Sequence, residues 1–157
     1  MPTETRPDLA DLHARASRAR PDEVSTELVV REGHIPEDLR GVLFRNGPGK
    51  QEAFGVPYTH PFDGDGMIFR FAFEGGRVHY RNRFVRTSHF LAENRAGRML
   101  YRGFGTNLPG GLAKNLFRTT FKNAANTSVV RHGGVLLALW EGGSVSYTHL
   151  RAHETVL

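Results

Sequence analysis

The stretch GMIFRFAFEGGRVHYRNRFVR (residues 66–86) constrains the fold more than any other part of the chain. Met67, Phe69, Phe71 and Phe73 alternate with Ile68, Arg70 and Ala72, and Val78, Tyr80 and Phe84 keep the same period beyond Glu74–Gly76. A period of two puts alternate side chains on opposite faces of a strand, and a glycine pair between two such runs closes a hairpin. The chain must therefore contain an antiparallel sheet with an apolar face. NTSVVRH, Gly133-Gly134 and VLLALWEGG spell a second hairpin. Its return strand is apolar on both faces, which predicts an inner strand and not a sheet edge. TELVVREG and RGVLFRNG read as two further short strands, each closed by glycine.

Residues 7–20 predict a short helix, with Leu9 and Leu12 three apart and Pro21 as its stop. Between the hairpins, GFGTNLPGGLAKNLFRTTFKNAANT begins with glycines. It then carries Leu112, Leu116, Phe117 and Phe121, which one helical face can gather, with Lys114, Arg118 and Lys122 alongside. Hairpins at regular spacing with one helical excursion describe an all-β fold, a propeller or a sandwich, and periodicity does not choose between them.

Several function classes drop out on composition. The chain has no cysteine, which removes disulfide scaffolds, thiolate zinc sites and a Cys nucleophile. A net charge of +5 nominally invites nucleic acid, yet the basic residues are scattered apart from Arg15, Arg18 and Arg20, and no nucleic-acid motif occurs. No nucleic-acid partner is expected. The longest apolar run, Val135 to Trp140, is far short of a bilayer span, and the N-terminal residues show no apolar signal region. The expected location is the cytoplasm, with peripheral contact to a membrane.

HPFDGDGMI gathers His60, Asp63 and Asp65, but Met67 stands where a calcium loop needs its fifth-position oxygen. The expectation is a turn in which both aspartates accept local backbone hydrogen bonds and Gly64 and Gly66 take positive φ. His34, His79, His89 and His132 sit singly and read as surface or satisfied side chains. His149 and His153 lie four apart, a spacing that would put both imidazoles on one side of a helix.

Five motifs decide between the fold classes: GVLFRNGPG, HPFDGDGMI, YRNRFVRT, FGTNLPGG and KNAANTSVVRHGGVLLALWEGG. In this order they resemble the N-terminal part of the carotenoid cleavage oxygenases, over roughly Glu27 to Gly143. The resemblance implies a seven-bladed β-propeller with one non-haem Fe(II) on its axis, held by four histidines. It implies O2 as co-substrate, a lipophilic polyene or stilbenoid substrate in an apolar tunnel, and cleavage of a conjugated C=C bond to two carbonyls. Imidazole ligands suit Fe(II) and can leave positions open for O2.

Carried over position by position, none of the four ligand histidines falls in this chain, so the metal set here is empty and the chain alone is expected to bind no iron and to be inactive. Glu141 matches a family glutamate that hydrogen-bonds a ligand histidine, the kind of outer contact that fixes a metal-bound imidazole. Trp140 would then lie near the substrate cavity. Leu112, Leu116, Phe117 and Phe121 match a segment at the tunnel mouth that touches the bilayer in some members. By the same resemblance RNGP ends a strand, with Arg45 pairing across blades.

After Gly143 the family pattern stops, and Val145 to Thr155 coincide with one reading frame of a common transposase-type sequencing adapter. The expected organisation is an N-terminal arm (1–24), part of a propeller (25–143) and an artefactual tail (144–157) that includes His149 and His153. The alternative from another class is a non-catalytic propeller or sandwich module that presents a binding surface.

Overall fold

The computed structural model describes residues 22–116, 120–143 and 146–148. The predicted helix over 7–20, Phe117, His149 and His153 lie outside the described residues. Strands β1 (Ser25–Glu27), β2 (Gly41–Pro48), β5 (Gly66–Glu74) and β6 (Arg77–Phe84) form an antiparallel sheet in the order β1-β6-β5-β2. β3 (Glu52–Ala53) and β4 (Val56–Pro57) make a small ribbon, and β7 (Ser128–His132), β8 (Val135–Leu139) and β9 (Ser146–Thr148) make a three-stranded sheet with β8 in the middle.

Both hairpins fall where alternation puts them. β5 and β6 pair from Met67 with Phe84 to Glu74 with Arg77, so Met67, Phe69, Phe71 and Phe73 share a face with Phe84, Asn82, Tyr80 and Val78. Gly75 and Gly76 both sit at positive φ, 53° and 72°, the hand a two-residue hairpin turn requires of both its residues. Gly133 and Gly134 do the same between β7 and β8 at 55° and 81°. The inner position of β8 is as predicted, and its second neighbour, β9, comes from the segment read above as foreign.

Other expectations are corrected. TELVVREG is a strand only as far as Glu27. Leu28 still donates its N–H to Val78 O, but Val29 is 87% exposed, because two β-branched residues make strand propensity without a neighbouring strand to satisfy it. A nine-residue helix that the periodicity does not reveal, α1 (Ser88–Ala96), runs between Thr87, whose hydroxyl accepts the Phe90 N–H, and Gly97 at φ 61°. Its two caps are the available signal.

Ile68, Val85, Ala125 and Ala138 form a core with Phe44 and Val129 packed against it, which joins the four-stranded sheet to β7–β8. Arg45 is exposed, and among the described residues it has no partner across that joint. Asn46 crosses instead, donating to Ala125 O at 2.8 Å and Ser128 O at 2.9 Å. A second cluster, Ala53, Met99 and Leu108 with Val56 and Tyr58, seats the β3–β4 ribbon.

A candidate substrate cavity and its polar frame

The segment His60–Gly66 turns through a 3₁₀ helix (Pro61–Asp63), started by Pro61 and capped by His60, whose Nδ1 accepts the Phe62 N–H. Asp63 is buried, and its carboxylate accepts N–H groups of three successive residues: Phe104 at 2.6 Å, Gly105 at 3.1 Å and Thr106 at 2.8 Å. These bonds are long-range and not local as expected, and they lock HPFDGDG to FGT. Nor do the glycines serve a positive φ: Gly64 lies at −65° and Gly66 is not among the left-handed residues. They serve close approach. A Cβ on Gly64 would fall 2.1 Å from Lys50 O, and one on Gly66 2.2 Å from Ala125 O.

Among the described residues the expected helical face of the excursion does not form. Its helix, α2 (Leu112–Asn115), is a single turn, ended where Asn115 binds back to Leu108 and Gly111. Leu112 and Leu116 stand 82% and 67% exposed. Phe121 is not on that helix; it bridges to Arg102, whose guanidinium lies 5.0 Å from the ring centroid. Lys122 is not a surface cation either. It is 2% exposed, with Nζ 2.8 Å from Asp65 Oδ1, 2.8 Å from Glu93 Oε2 and 3.0 Å from the Tyr58 hydroxyl. Glu93 Oε1 takes the N–H groups of Leu100 and Tyr101. Burial works against the Lys122 charge, but Asp65, Tyr58 and Glu93 outweigh it and raise its pKa above that of a free lysine. Nothing in local periodicity marks a lysine for burial.

Beyond Lys122 the backbone is over-determined. Ala125 holds a left-handed φ of 47° although it is fully buried, a conformation that costs a non-glycine residue about 1–2 kcal/mol. Asn123 Oδ1 accepts its N–H and Asn46 donates to its carbonyl. Asn126, also buried, donates through Nδ2 to Phe62 O at 2.7 Å and Gly64 O at 2.8 Å.

These elements line an open cavity of about 900 Å³. His60, Phe62 and Phe104 form one wall, with the His60 ring edge-on to both phenyl rings at 5.3 and 5.4 Å. Trp140, Glu141, Gly142 and Thr127 form another, and Phe121, Asn126 and Asn46–Pro48 complete it. The structure thus brings Trp140, Glu141 and Phe121 together, and leaves Leu112 and Leu116 out. Glu141 Oε2 accepts the Thr127 hydroxyl at 2.8 Å. The Gly142-Gly143 pair has its own reason: a Cβ at either position would meet the Trp140 ring at 2.8 or 2.6 Å, so the indole lies over bare backbone. Sequence reasoning misses His60, Phe62, Phe104, Thr127 and Asn126 as site residues, since their meeting depends on buried bonds between distant segments.

The sequence profile of the retinal pigment epithelial membrane protein family matches residues 17–156. The chain is 49% identical over 131 residues to the apocarotenoid-15,15'-oxygenase of Synechocystis sp., covering 82% of this chain and 27% of that protein. It is 35% identical over 142 residues to the isoeugenol monooxygenase of Pseudomonas nitroreducens, covering 83% and 28%. It therefore spans little more than a quarter of the length of these relatives. A solved Synechocystis apocarotenoid oxygenase carrying a glutamate-to-glutamine change superposes with a TM-score of 0.82 at 45% identity, over 87% of this chain and 29% of that one. Other solved variants of that oxygenase change the tryptophan directly before this glutamate, and a threonine 14 positions before it. Thr127, Trp140 and Glu141 have the same residue types at the same spacing. The strands described above are a portion of the family's seven-bladed β-propeller, and the chain belongs to the retinal pigment epithelial membrane protein family of carotenoid cleavage oxygenases.

Proposed function

We propose that the cavity takes a conjugated, largely apolar alkene of the carotenoid, apocarotenoid or stilbene type, and that the chain serves a non-haem Fe(II) dioxygenase acting on it. The reaction splits one C=C bond with O2, and each alkene carbon receives one oxygen atom as a carbonyl. The observation that carries this reading is the aromatic cavity of about 900 Å³ with Thr127, Trp140 and Glu141 on one wall, at the spacing targeted in the Synechocystis oxygenase.

Among the described residues, no three His, Asp or Glu side chains converge on a point. His60 Nδ1 already accepts the Phe62 N–H. These residues do not make an iron site, so in this proposal the ligating histidines come from outside them. What this chain supplies is shape and one carboxylate. Phe62, Phe104 and Trp140 all line the cavity and give a planar polyene apolar surface. Glu141 uses one of its acceptor positions for Thr127 and has others to take a ring N–H from a ligating histidine. Leu112 and Leu116, exposed beside Lys114, are the membrane-facing contact. Among the described residues no helix is long and apolar enough to cross a membrane. Val145–Thr155 we read as translated adapter; a sequencing read of the source DNA across the Gly143 codon decides it.

The test is a graft of residues 22–143 in place of the matching part of the Synechocystis oxygenase, assayed by loss of apocarotenal absorbance and by O2 uptake. The graft should bleach the polyene, and Glu141→Gln within it should lower turnover about tenfold or more. A folded, iron-loaded graft that binds the polyene without consuming O2 would support a non-catalytic binding module instead.

A further inference from the structure

The two buried donor bonds of Asn126 join parts of the cavity that the chain separates by more than 60 residues. Its Nδ2 is shared between Phe62 O and Gly64 O, the two carbonyls that flank Asp63 in the turn carrying His60 and Phe62. The next residue, Thr127, donates its hydroxyl to Glu141 and its N–H to Leu139 O. One side chain therefore fixes the aromatic wall relative to the Trp140–Glu141 wall. Asp63 completes the clamp from behind, by holding the N–H groups of Phe104, Gly105 and Thr106.

We propose that Asn126 is a positioning residue that sets the width of the cavity, and with it the grip on a flat conjugated substrate. It touches no reacting atom. An amide at this position is required because only a donor can serve two carbonyls: a carboxylate would face them with like charge, and an alanine would leave both unpaired in a buried place. The left-handed Ala125 just before it supplies the reason that the bond does not drift, since its strained turn is tied from both sides by Asn123 and Asn46. The proposal rests on the reading that this cavity binds the substrate, and the experiment separates the two.

The chain has one tryptophan and no cysteine, so Trp140 is a unique donor and Phe104→Cys, at a residue 72% exposed, is a unique labelling site for an acceptor dye. Energy transfer from Trp140 to the label reads the distance between the walls without any ligand. Asn126→Ala should lower the transfer efficiency, and Asn126→Ser, which keeps one donor, should lower it less. Far-ultraviolet circular dichroism shows that each variant is folded, and the serine variant carries the test if the alanine variant is not. In the unlabelled chain, quenching of Trp140 by an apocarotenal should weaken about tenfold in Asn126→Ala. Reduced melting temperature with unchanged transfer and unchanged quenching would make Asn126 merely structural and overturn the proposal. Changed transfer with unchanged polyene affinity would also overturn it. If the parent chain is not quenched at all, the substrate reading fails, while transfer still decides whether Asn126 spaces the walls.

Discussion

The β5–β6 hairpin and the segment 103–127 lie against one another, yet they are held by different physics. The hairpin is self-sufficient in its bonding: eight cross-strand pairs run from Met67–Phe84 to Glu74–Arg77, and every second side chain meets its partner on a shared apolar face. Among its described residues, the segment 103–127 has one helical turn and a single bridge. It is held by charged and amide side chains buried beneath it: Lys122 between Asp65 and Glu93, Asp63 under Phe104–Thr106, and Asn126 on Phe62 and Gly64. Apolar contacts lose strength gradually when one member is trimmed. A buried ion left without its partner is a much larger fault. The cavity is built by the second kind of region, so its geometry depends on a few polar residues.

The largest effect should come from breaking that region at Lys122. Lys122→Met removes the cation between two carboxylates that are themselves almost wholly buried, and should cost about 3–5 kcal/mol in denaturant unfolding. Adding Asp65→Asn and Glu93→Gln to the same chain should restore part of the loss. The uncompensated charges go, while the amide oxygen introduced at position 93 can still accept from Leu100 and Tyr101. A triple variant no more stable than the single one would mean that packing of the lysine stem, and not its charge, holds the segment.

The hairpin should respond to a backbone change and hardly to charge. Gly75→Ala adds a methyl group where nothing lies within 4 Å, so its whole effect is the left-handed φ of 53°. The expected cost is about 1 kcal/mol, read as a lower midpoint with an unchanged m-value. A cost near zero would show that the turn relaxes, and that the ladder and not the glycine pair fixes the register.

The same contrast explains what can be read in advance. Alternation and glycine pairs are local, so the β5–β6 and β7–β8 hairpins and their turns can be placed, and five ordered motifs are enough for the family. Trp140 and Glu141 come from that family match and do line the cavity. The remaining site residues carry no local signature. A lysine beside two phenylalanines looks like the polar edge of an amphipathic helix, and only the meeting of Asp65, Glu93 and Tyr58 in three dimensions turns Lys122 inward. Asp63, Gly64 and Gly66 are structural, as expected, but for a different reason. Crowding of the two glycines by Lys50 and Ala125 looks the same in sequence as a demand for positive φ. β1 stops short for the converse reason, since Val29 and Val30 have strand chemistry and, among the described residues, no strand to pair with.

The smallest effect sharpens the comparison through pH. His89 lies in α1, stacked on Tyr101 with ring centroids 3.9 Å apart, and its Nδ1 accepts the Asn123 N–H at 2.9 Å. It therefore ties α1 to the start of the KNAANT segment. Burial pushes its pKa below 6.5; Glu93 opposes this, and Lys122 adds to it. A group whose folded pKa is depressed stabilises the fold fully above its unfolded value and loses that contribution as pH falls through the folded one. Stability should thus decline modestly as pH drops below about 6.5, when a protonated Nδ1 can no longer accept from Asn123. His89→Gln, whose amide oxygen can take the same N–H, should flatten that limb of the stability profile while leaving stability at pH 8 little changed. If acid sensitivity persists in the glutamine variant, it belongs to the carboxylates. Glu23 is then the group to follow: burial alone would raise its pKa, but the Phe84 N–H and the Arg83 and Arg86 guanidiniums hold it below the usual carboxylate value. Its loss would release the segment before β1 from the edge of β6 and leave the cavity frame intact, so Trp140 emission separates the two sources of acid sensitivity. A shift in that emission on acidification places the weak point at His89 and the polar frame, and silence places it at the sheet edge.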